Sequence, residues 1–139
     1  MSINKHNIKA DKQSYGKWST INDYFGDPHA AEQLWKLYQP FEEDLQGTVH
    51  LVDFGSADGY LGEFFFEKLE QAGHTVGLTL IDAVQEHLDA NPNPHTKVQA
   101  DLLTYSGKDE FDLGLVRSLL HYFTRENADK VLHNISNAM

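Results

Sequence analysis

The stretch LVDFGSADGYL, residues 51–61, decides the fold of this chain. An apolar run ends at Asp53, a glycine-containing turn follows, and helix-forming residues begin near Tyr60. Gly55 and Gly59 suit a tight turn because glycine accepts backbone dihedrals that are closed to other residues. The first N–H groups of the following helix have no partner within the helix and point toward the turn. The pattern therefore predicts a strand, a turn and a helix that together hold a nucleotide-like cofactor.

The composition indicates one folded domain and limits its partners. The chain has 139 residues, 40% of them apolar, and a formal charge of −10. A negative charge of this size repels polyanions, so we expect neither nucleic acid nor a membrane surface as a partner. The sequence contains no cysteine, no apolar stretch that could cross a bilayer and no signal-peptide core at its start. We expect a cytoplasmic protein.

Strands and helices are predicted to alternate along the chain. The predicted strands span residues 49–54, 76–81, 97–100 and 111–116, and we expect the last to be buried on both faces. The predicted helices span residues 28–46, 61–71, 84–90 and 125–138, with Pro40 splitting the first. Thr124 is expected to cap the last helix, which turns Ala128, Val131, Leu132 and Ile135 inward. This alternation predicts a parallel sheet with right-handed crossovers.

Acidic residues stand at or near the ends of three predicted strands. They are Asp53, Asp82 and Asp101. Ligands of parallel α/β sheets bind outside the carboxyl ends of the strands. Three carboxylates on one rim, beside a glycine turn, therefore predict a single binding site.

At these residues the chain resembles the class I S-adenosylmethionine-dependent methyltransferases. The first motif of that family is acidic-x-Gly-x-Gly-x-Gly, and residues 53–59 read DFGSADG, with Ala57 in place of the middle glycine. The second strand of the family ends in an acidic residue that binds the ribose hydroxyls, as the segment LID ends in Asp82. An Asp followed by an apolar residue frames the adenine after the third strand, and Asp101-Leu102 matches it.

The segment FDLGLVRSLLHYF, residues 111–123, resembles the fourth strand of the small-molecule O-methyltransferases in this family. Arg117 and His121 fall on the basic and the His positions, while Tyr122 and Phe123 replace the usual Asp or Asn and Trp. The resemblance implies that His121 is the general base for a substrate hydroxyl. The alternative is a structural or surface imidazole.

The resemblance implies an α/β fold with a Rossmann-like parallel sheet of strand order 3-2-1-4 and helices on both faces, lacking the last three strands of the family sheet. The implied cofactor is S-adenosyl-L-methionine, which leaves as S-adenosyl-L-homocysteine. The residues implied to contact it are Asp53, Gly55, Ser56, Ala57, Asp58, Gly59, Tyr60, Asp82, Ala83, Asp101, Leu102, Arg117 and Ser118. The implied reaction is methyl transfer to a small-molecule acceptor, at oxygen before nitrogen or carbon.

Two other functions stay open at this point. One is an inactive methyltransferase-like module that binds cofactor or mediates association. The other is a nicotinamide-dinucleotide-binding Rossmann domain, although the full G-x-G-x-x-G pattern is absent. The histidines are scattered without a metal-ligand spacing, so we expect no metal site.

The domain boundary is expected near residue 26. Residues 1–26 are predicted to form an arm or lid, and residues 27–139 a partial cofactor-binding methyltransferase domain. Tyr15, Trp18, Tyr24 and Phe25 are candidates for the lid or for packing, whereas Trp35 is expected to pack. The outer edge of the fourth strand is expected to be unpaired, which predicts self-association or a complementing chain.

Overall fold

The computed structural model describes residues 28–117 and 119–139. Four parallel strands form one sheet in the order β3-β2-β1-β4. The strands are β1 (Thr48–Phe54), β2 (Thr75–Asp82), β3 (Thr96–Gln99) and β4 (Leu113–Val116). The predicted fold class and strand order are confirmed. The predicted arm and its aromatic residues lie outside the described residues, as does Ser118.

The helices follow the predicted alternation. They are α1 (Pro28–Tyr38), α2 (Tyr60–Gln71), α3 (Gln85–Asp89) and α4 (Arg125–Ala138), with short 3-10 helices at Gln39–Asp44 and Leu120–Tyr122. Pro40 lacks an N–H and its ring clashes with the preceding turn, which is why α1 ends at Tyr38. Thr124 caps α4 as predicted, because its Oγ1 accepts a hydrogen bond from Asn127 N at 3.1 Å. Among the described helices, none is long and apolar enough to cross a bilayer.

The register of the strands aligns their carboxyl ends at one edge. Strand β1 pairs with β2 up to Phe54↔Ile81, and with β4 up to Phe54↔Val116. Strands β2 and β3 lie on one side of β1 and β4 on the other, so the strand order reverses at β1. Such a reversal opens a crevice at the carboxyl edge, where open α/β sheets bind their ligands.

The sheet carries helices on both faces, as predicted. On one face, Leu51 and Leu80 pack with Leu61 and Phe65 of α2 and with Trp35 of α1. On the other face, the core is formed with α4 by Val52, Phe54, Ile81, Val131, Ile135 and Ala138. Successive strand residues point to opposite faces, which separates these two sets. Trp35 is a packing residue, as expected, and its ring stands edge-on to Phe65 at 5.4 Å.

Four predicted details of the elements are wrong. Strand β4 begins at Leu113 rather than residue 111, because Glu110 N and Phe111 N donate to Ala138 O at the end of α4. It is not buried on both faces either, since Val116 is 40% exposed at the edge of the described sheet. Strand β3 runs one residue earlier than predicted.

The fourth wrong detail concerns the inward face of α4. Leu132 is 45% exposed, whereas Val131, Ile135 and Ala138 are buried. The buried positions follow the three- and four-residue steps of one helix face, and a residue next to Val131 lies about 100° around the axis. The helix therefore turns Leu132 toward solvent.

Candidate functional site

The glycine turn between β1 and α2 is held in an unusual backbone conformation. Gly55, Ala57 and Gly59 have positive φ values of 69°, 52° and 88°. Gly55 N and Ser56 N both donate to Ile81 O, at 2.8 and 3.0 Å. These bonds fasten the turn to the end of β2. Because alanine pays a steric cost in the left-handed region, Ala57 needs a compensating contact.

Asp82 supplies that contact at the end of β2. Its Oδ2 accepts a hydrogen bond from Ala57 N at 2.8 Å. Its Oδ1 accepts from Val84 N at 2.8 Å and lies 3.3 Å from His87 Nδ1. One carboxylate thus bridges the glycine turn and the start of α3. Of the residues predicted to bind the cofactor, Asp82 is the one most tightly joined to the turn.

Asp53, at the end of β1, faces α2 rather than solvent. It is 4% exposed, and its Oδ2 accepts a hydrogen bond from Gly62 N at 3.0 Å. Burial raises the pKa of Asp53 to about 7 against the Gly62 bond, with smaller contributions from its neighbours Asp82 and Asp58. Asp53 therefore holds the first turn of α2 in place. Its contact with a cofactor amino group stays a prediction.

The back of the turn is packed by a polar side chain. Asn91 Nδ2 donates to Asp58 O at 3.0 Å and to Glu63 Oε1 at 3.1 Å. A Cβ on Gly59 would lie 2.6 Å from Leu80 Cδ1 and 3.0 Å from Asn91 Nδ2. Packing as well as backbone conformation therefore requires glycine at position 59.

Asp58 itself accepts a hydrogen bond from Tyr60 N through Oδ1, at 3.2 Å. Burial raises the pKa of the Asp58 carboxyl, against the Tyr60 bond and the nearby His87. Tyr60 begins α2, so the carboxylate closes the turn at the start of the helix. The predicted site residues from 53 to 60 thus run from the end of β1 through the turn to the first residue of α2.

Glu63 anchors a network that joins α2 to the segment before β3. Its Oε1 accepts from Asn93 Nδ2 at 2.7 Å and contacts His95 Nε2 at 2.8 Å, in addition to the Asn91 bond. Burial alone would raise the pKa of Glu63, but the hydrogen bonds from Asn93, Asn91 and His95 outweigh it and lower that pKa. The ionised carboxylate fixes the segment that carries Asn91.

The third predicted carboxylate stands next to the end of β3. Asp101 Oδ1 accepts from Leu103 N at 3.0 Å, and the preceding Ala100 donates its N–H to Asp82 O at 3.0 Å. Asp101 and Asp82 are therefore neighbours through the backbone. Leu102 is 5% exposed and packs in the α4-side core. Its contact with an adenine ring stays a prediction.

The end of β4 lies on the other side of β1 from β2 and β3. The positive charge of Arg117 lowers the pKa of Asp53, although less than burial raises it. Leu119 reaches over the glycine turn, since a Cβ on Gly55 would lie 2.9 Å from Leu119 Cδ1. His121 is exposed, and its ring lies 4.0 Å from that of Tyr122.

Three residues of the site were missed in the sequence. His87, Asn91 and Glu63 support Asp82 and the turn from α3, the following loop and α2. His87 lies five residues after Asp82, which is a usable signal, since a short helix can return a side chain to the strand end. Asn91 is visible in the sequence only as a helix stop before proline. In residues 28–117 and 119–139, no three His, Asp or Glu side chains are grouped as metal ligands.

The fold is found in solved methyltransferases. The 1,6-didemethyltoxoflavin-N1-methyltransferase of Burkholderia thailandensis, with 1,6-didemethyltoxoflavin and S-adenosylhomocysteine bound, matches 96% of this chain at 17% identity and a TM-score of 0.68. Phosphoethanolamine N-methyltransferase 1 of Haemonchus contortus matches 95% of this chain at 15% identity and a TM-score of 0.67. The plantazolicin methyltransferase BpumL, in complex with a pentazolic analogue and S-adenosylhomocysteine, matches 95% of this chain at 18% identity and a TM-score of 0.60.

The chain spans only part of these proteins. It covers 59% of the Burkholderia enzyme, 48% of BpumL and 29% of the Haemonchus enzyme. No protein-family model and no curated protein matches the sequence significantly. At such low identity, the likeness establishes the Rossmann-like methyltransferase fold alone.

Proposed function

We propose that this chain binds S-adenosylmethionine and is the cofactor-binding part of a small-molecule methyltransferase. The observation that carries the proposal is the left-handed turn 55–59, which the Asp82 carboxylate fastens to the end of the next strand. This turn lies at the strand-order reversal, where ligands of such sheets bind. Structural neighbours that hold S-adenosylhomocysteine support the choice of cofactor.

The described residues offer groups for each part of the cofactor. Residues 55–59 are proposed to cradle the methionine part, because the positive φ values of Gly55, Ala57 and Gly59 let the backbone of the turn approach a ligand closely. Asp82 is proposed to accept from the ribose, and Asp101 from the adenine amino group. When bound, the cofactor supplies an activated methyl group on its sulfonium. The task of the chain is then to bring acceptor and methyl into line.

The acceptor is proposed to be a hydroxyl, with His121 as the group that takes its proton. This rests on the Arg117 and His121 positions of the β4 segment, and on the need for a general base within hydrogen-bond reach of the acceptor. Nitrogen is the second candidate acceptor, because two of the structural neighbours are named as N-methyltransferases. Transfer of a labelled methyl group to a phenol or to an amine separates the two.

Calorimetry with S-adenosylhomocysteine tests the cofactor proposal. We expect the wild-type chain to bind it and Asp82→Ala to lose at least about ten-fold in affinity, the usual effect of removing a charged hydrogen-bond partner. Asp129→Ala is the matched control, since Asp129 is an exposed residue of α4, and it should bind as the wild type does. Binding of nicotinamide dinucleotide in its place would contradict the proposal and favour the dinucleotide alternative.

Absence of any binding by the folded wild-type chain would instead favour an association module. Binding without methyl transfer to any acceptor would favour the inactive cofactor-binding module. That result would support the proposed cofactor site and contradict the proposed methyltransferase activity.

A further inference from the structure

The hydrogen bonds of Asp82 leave little of its carboxylate for a ribose. A carboxylate has about four lone-pair sites, two on each oxygen. Val84 N donates to Oδ1 and Ala57 N to Oδ2, and His87 Nδ1 lies 3.3 Å from Oδ1 as an ion-pair contact rather than a hydrogen bond. One site on Oδ2 therefore stays open. A ribose that offers two hydroxyls, one to each oxygen, meets His87 at Oδ1.

His87 differs from the two backbone donors because its protonation state and its tautomer decide which ring nitrogens carry a hydrogen. Nδ1 donates to a carboxylate only when it carries a hydrogen. A neutral imidazole can place its single hydrogen on Nε2 and release Oδ1, whereas a charged imidazolium carries hydrogens on both nitrogens. The ring is 5% exposed, so it stays beside the carboxylate in either state.

The charges around His87 are mainly acidic. Asp82 lies at the end of β2, and Asp58 in the glycine turn is close enough for the charge of His87 to lower its pKa. Helix α3 also packs on β3, whose Lys97 donates to Asn91 O. Glu86 and Asp89 on α3 itself are exposed. Carboxylates from two elements therefore lie near the His87 ring.

We infer that His87 competes with the ribose for Asp82 Oδ1 and makes cofactor binding weaken when the imidazole takes up a proton. This inference rests on the proposed function, since it assigns a regulator to the same ribose site. His87 is a positioning residue, because it acts through Asp82 rather than on the reacting atoms. By linkage, a cofactor that binds better to the unprotonated form must release the proton on binding.

The test is calorimetry of S-adenosylhomocysteine binding at about pH 8 and about pH 5.5, the range in which histidine charge changes. For the wild type, the affinity should fall between these pH values by about three- to ten-fold more than for His87→Leu, which matches the strength of one hydrogen bond. His87→Leu should bind tightly at both values. Asp53, with a pKa of about 7, is present in both proteins, so its own effect on binding cancels in this comparison.

Two further variants sharpen the test. His87→Asn places an amide near the position of Nδ1 that donates at every pH, so it should bind as weakly at high pH as the wild type does at low pH. His74→Leu removes a second histidine, which is half-buried and pairs with Glu42 away from the site, and should keep the wild-type pH dependence. Calorimetry in two buffers of different ionisation enthalpy should show proton release on binding by the wild type near pH 6 and none by His87→Asn. If His87→Leu does not fold, the comparison of proton release by the wild type and by His87→Asn still tests the role of His87.

The outcomes separate this inference from the proposed function. Equal pH dependence in the wild type and His87→Leu, or weaker binding by His87→Leu at both pH values, overturns the role of His87 and leaves the cofactor site intact. Tight binding by His87→Asn at high pH overturns it as well. Absence of binding by the wild type at about pH 8 overturns both.

Discussion

Ala57 shows how single residues fix this site. Its φ of 52° lies in the left-handed region, which costs an alanine about 1–2 kcal/mol. The hydrogen bond from Ala57 N to the charged Asp82 carboxylate is worth about 1.5–3 kcal/mol and offsets that cost. The sequence places Ala57 and Asp82 in the same site, but their direct bond depends on how β1 and β2 are paired, which residue types alone do not state.

Asp53 should make the stability of the fold depend on pH. Its pKa rises from 3.8 to about 7 on folding, so the folded state binds the proton more tightly than the unfolded chain. This buried charge therefore costs nothing below about pH 4, and its cost grows as pH rises to about 7, to an order of 4 kcal/mol. We expect Asp53→Asn, which can still accept from Gly62 N, to be the more stable protein at pH 8 and to show no such loss.

Urea unfolding at about pH 5 and about pH 8 measures this difference. Asp129→Asn, at an exposed position, is the control and should follow the wild type. If Asp53→Asn loses as much stability as the wild type between the two pH values, the burial of an acidic Asp53 is not the cause.

Gly59 and Gly73 allow backbone strain to be separated from packing. Both have a positive φ, 88° and 100°, but a Cβ on Gly59 would meet Leu80 at 2.6 Å, whereas one on Gly73 meets nothing within 4 Å. We expect Gly73→Ala to lose about 1–2 kcal/mol from strain alone, and Gly59→Ala to lose about 1–3 kcal/mol more from overpacking. Urea unfolding of both variants gives the difference. Equal losses would show that the turn has room beside Leu80.

The positions of most helices and strands could be predicted from the sequence. Which face of each element is buried could be predicted only in part. The roles of Pro40, which ends a helix, and Thr124, which caps the start of one, could be predicted because their effects are confined to a few neighbouring residues. The start of β4 and the face of α4 depend on contacts between distant segments, such as Phe111 N with Ala138 O. Those contacts are set by the packed fold, so the local pattern missed them.

The register of α4 can be measured with two truncations. Ile135 is 9% exposed and Leu132 is 45% exposed, although both are apolar and lie on the same helix. We expect Ile135→Ala to lower the free energy of unfolding by about 2–4 kcal/mol, and Leu132→Ala by less than about 1 kcal/mol. Chemical denaturation compares them directly. A loss for Leu132→Ala as large as that for Ile135→Ala would instead support the face predicted from the sequence, on which both residues point inward.

For the whole molecule, the sheet order follows from the alternation of strands and helices and from the acidic strand ends. What the sequence pattern did not reveal is the support behind the site, where His87, Asn91 and Glu63 converge from three elements. Such residues carry no motif, because their role arises only when the sheet brings separate segments together. A histidine just past a strand-end aspartate is the one trace they leave.

The outer edge of β4 is proposed to associate with a second copy or with a complementing chain. In the described sheet, β4 pairs with β1 alone, and Val116 is 40% exposed there. Open strand edges favour pairing with other strands, and a lysine on the edge opposes it. We expect the wild type to show a mass above that of one chain by light scattering, and Val116→Lys to lower it.

Leu37→Lys is the control for this change. Leu37 is 72% exposed on α1, so its replacement adds the same charge away from the strand edge and should leave the mass unchanged. A monomeric wild type, or an equal effect of the two lysines, would contradict association through β4.

Amide chemical shifts during titration with S-adenosylhomocysteine test the cofactor site most directly. We expect the largest changes on Gly55, Ala57 and Gly59 of the turn and on residues 82–84 and 101–103, all at the carboxyl edge of the sheet. Residues 75–77, at the opposite end of β2, should not shift. Saturable shifts confined to the opposite edge, or no shifts at millimolar ligand, would contradict cofactor binding at the carboxyl edge.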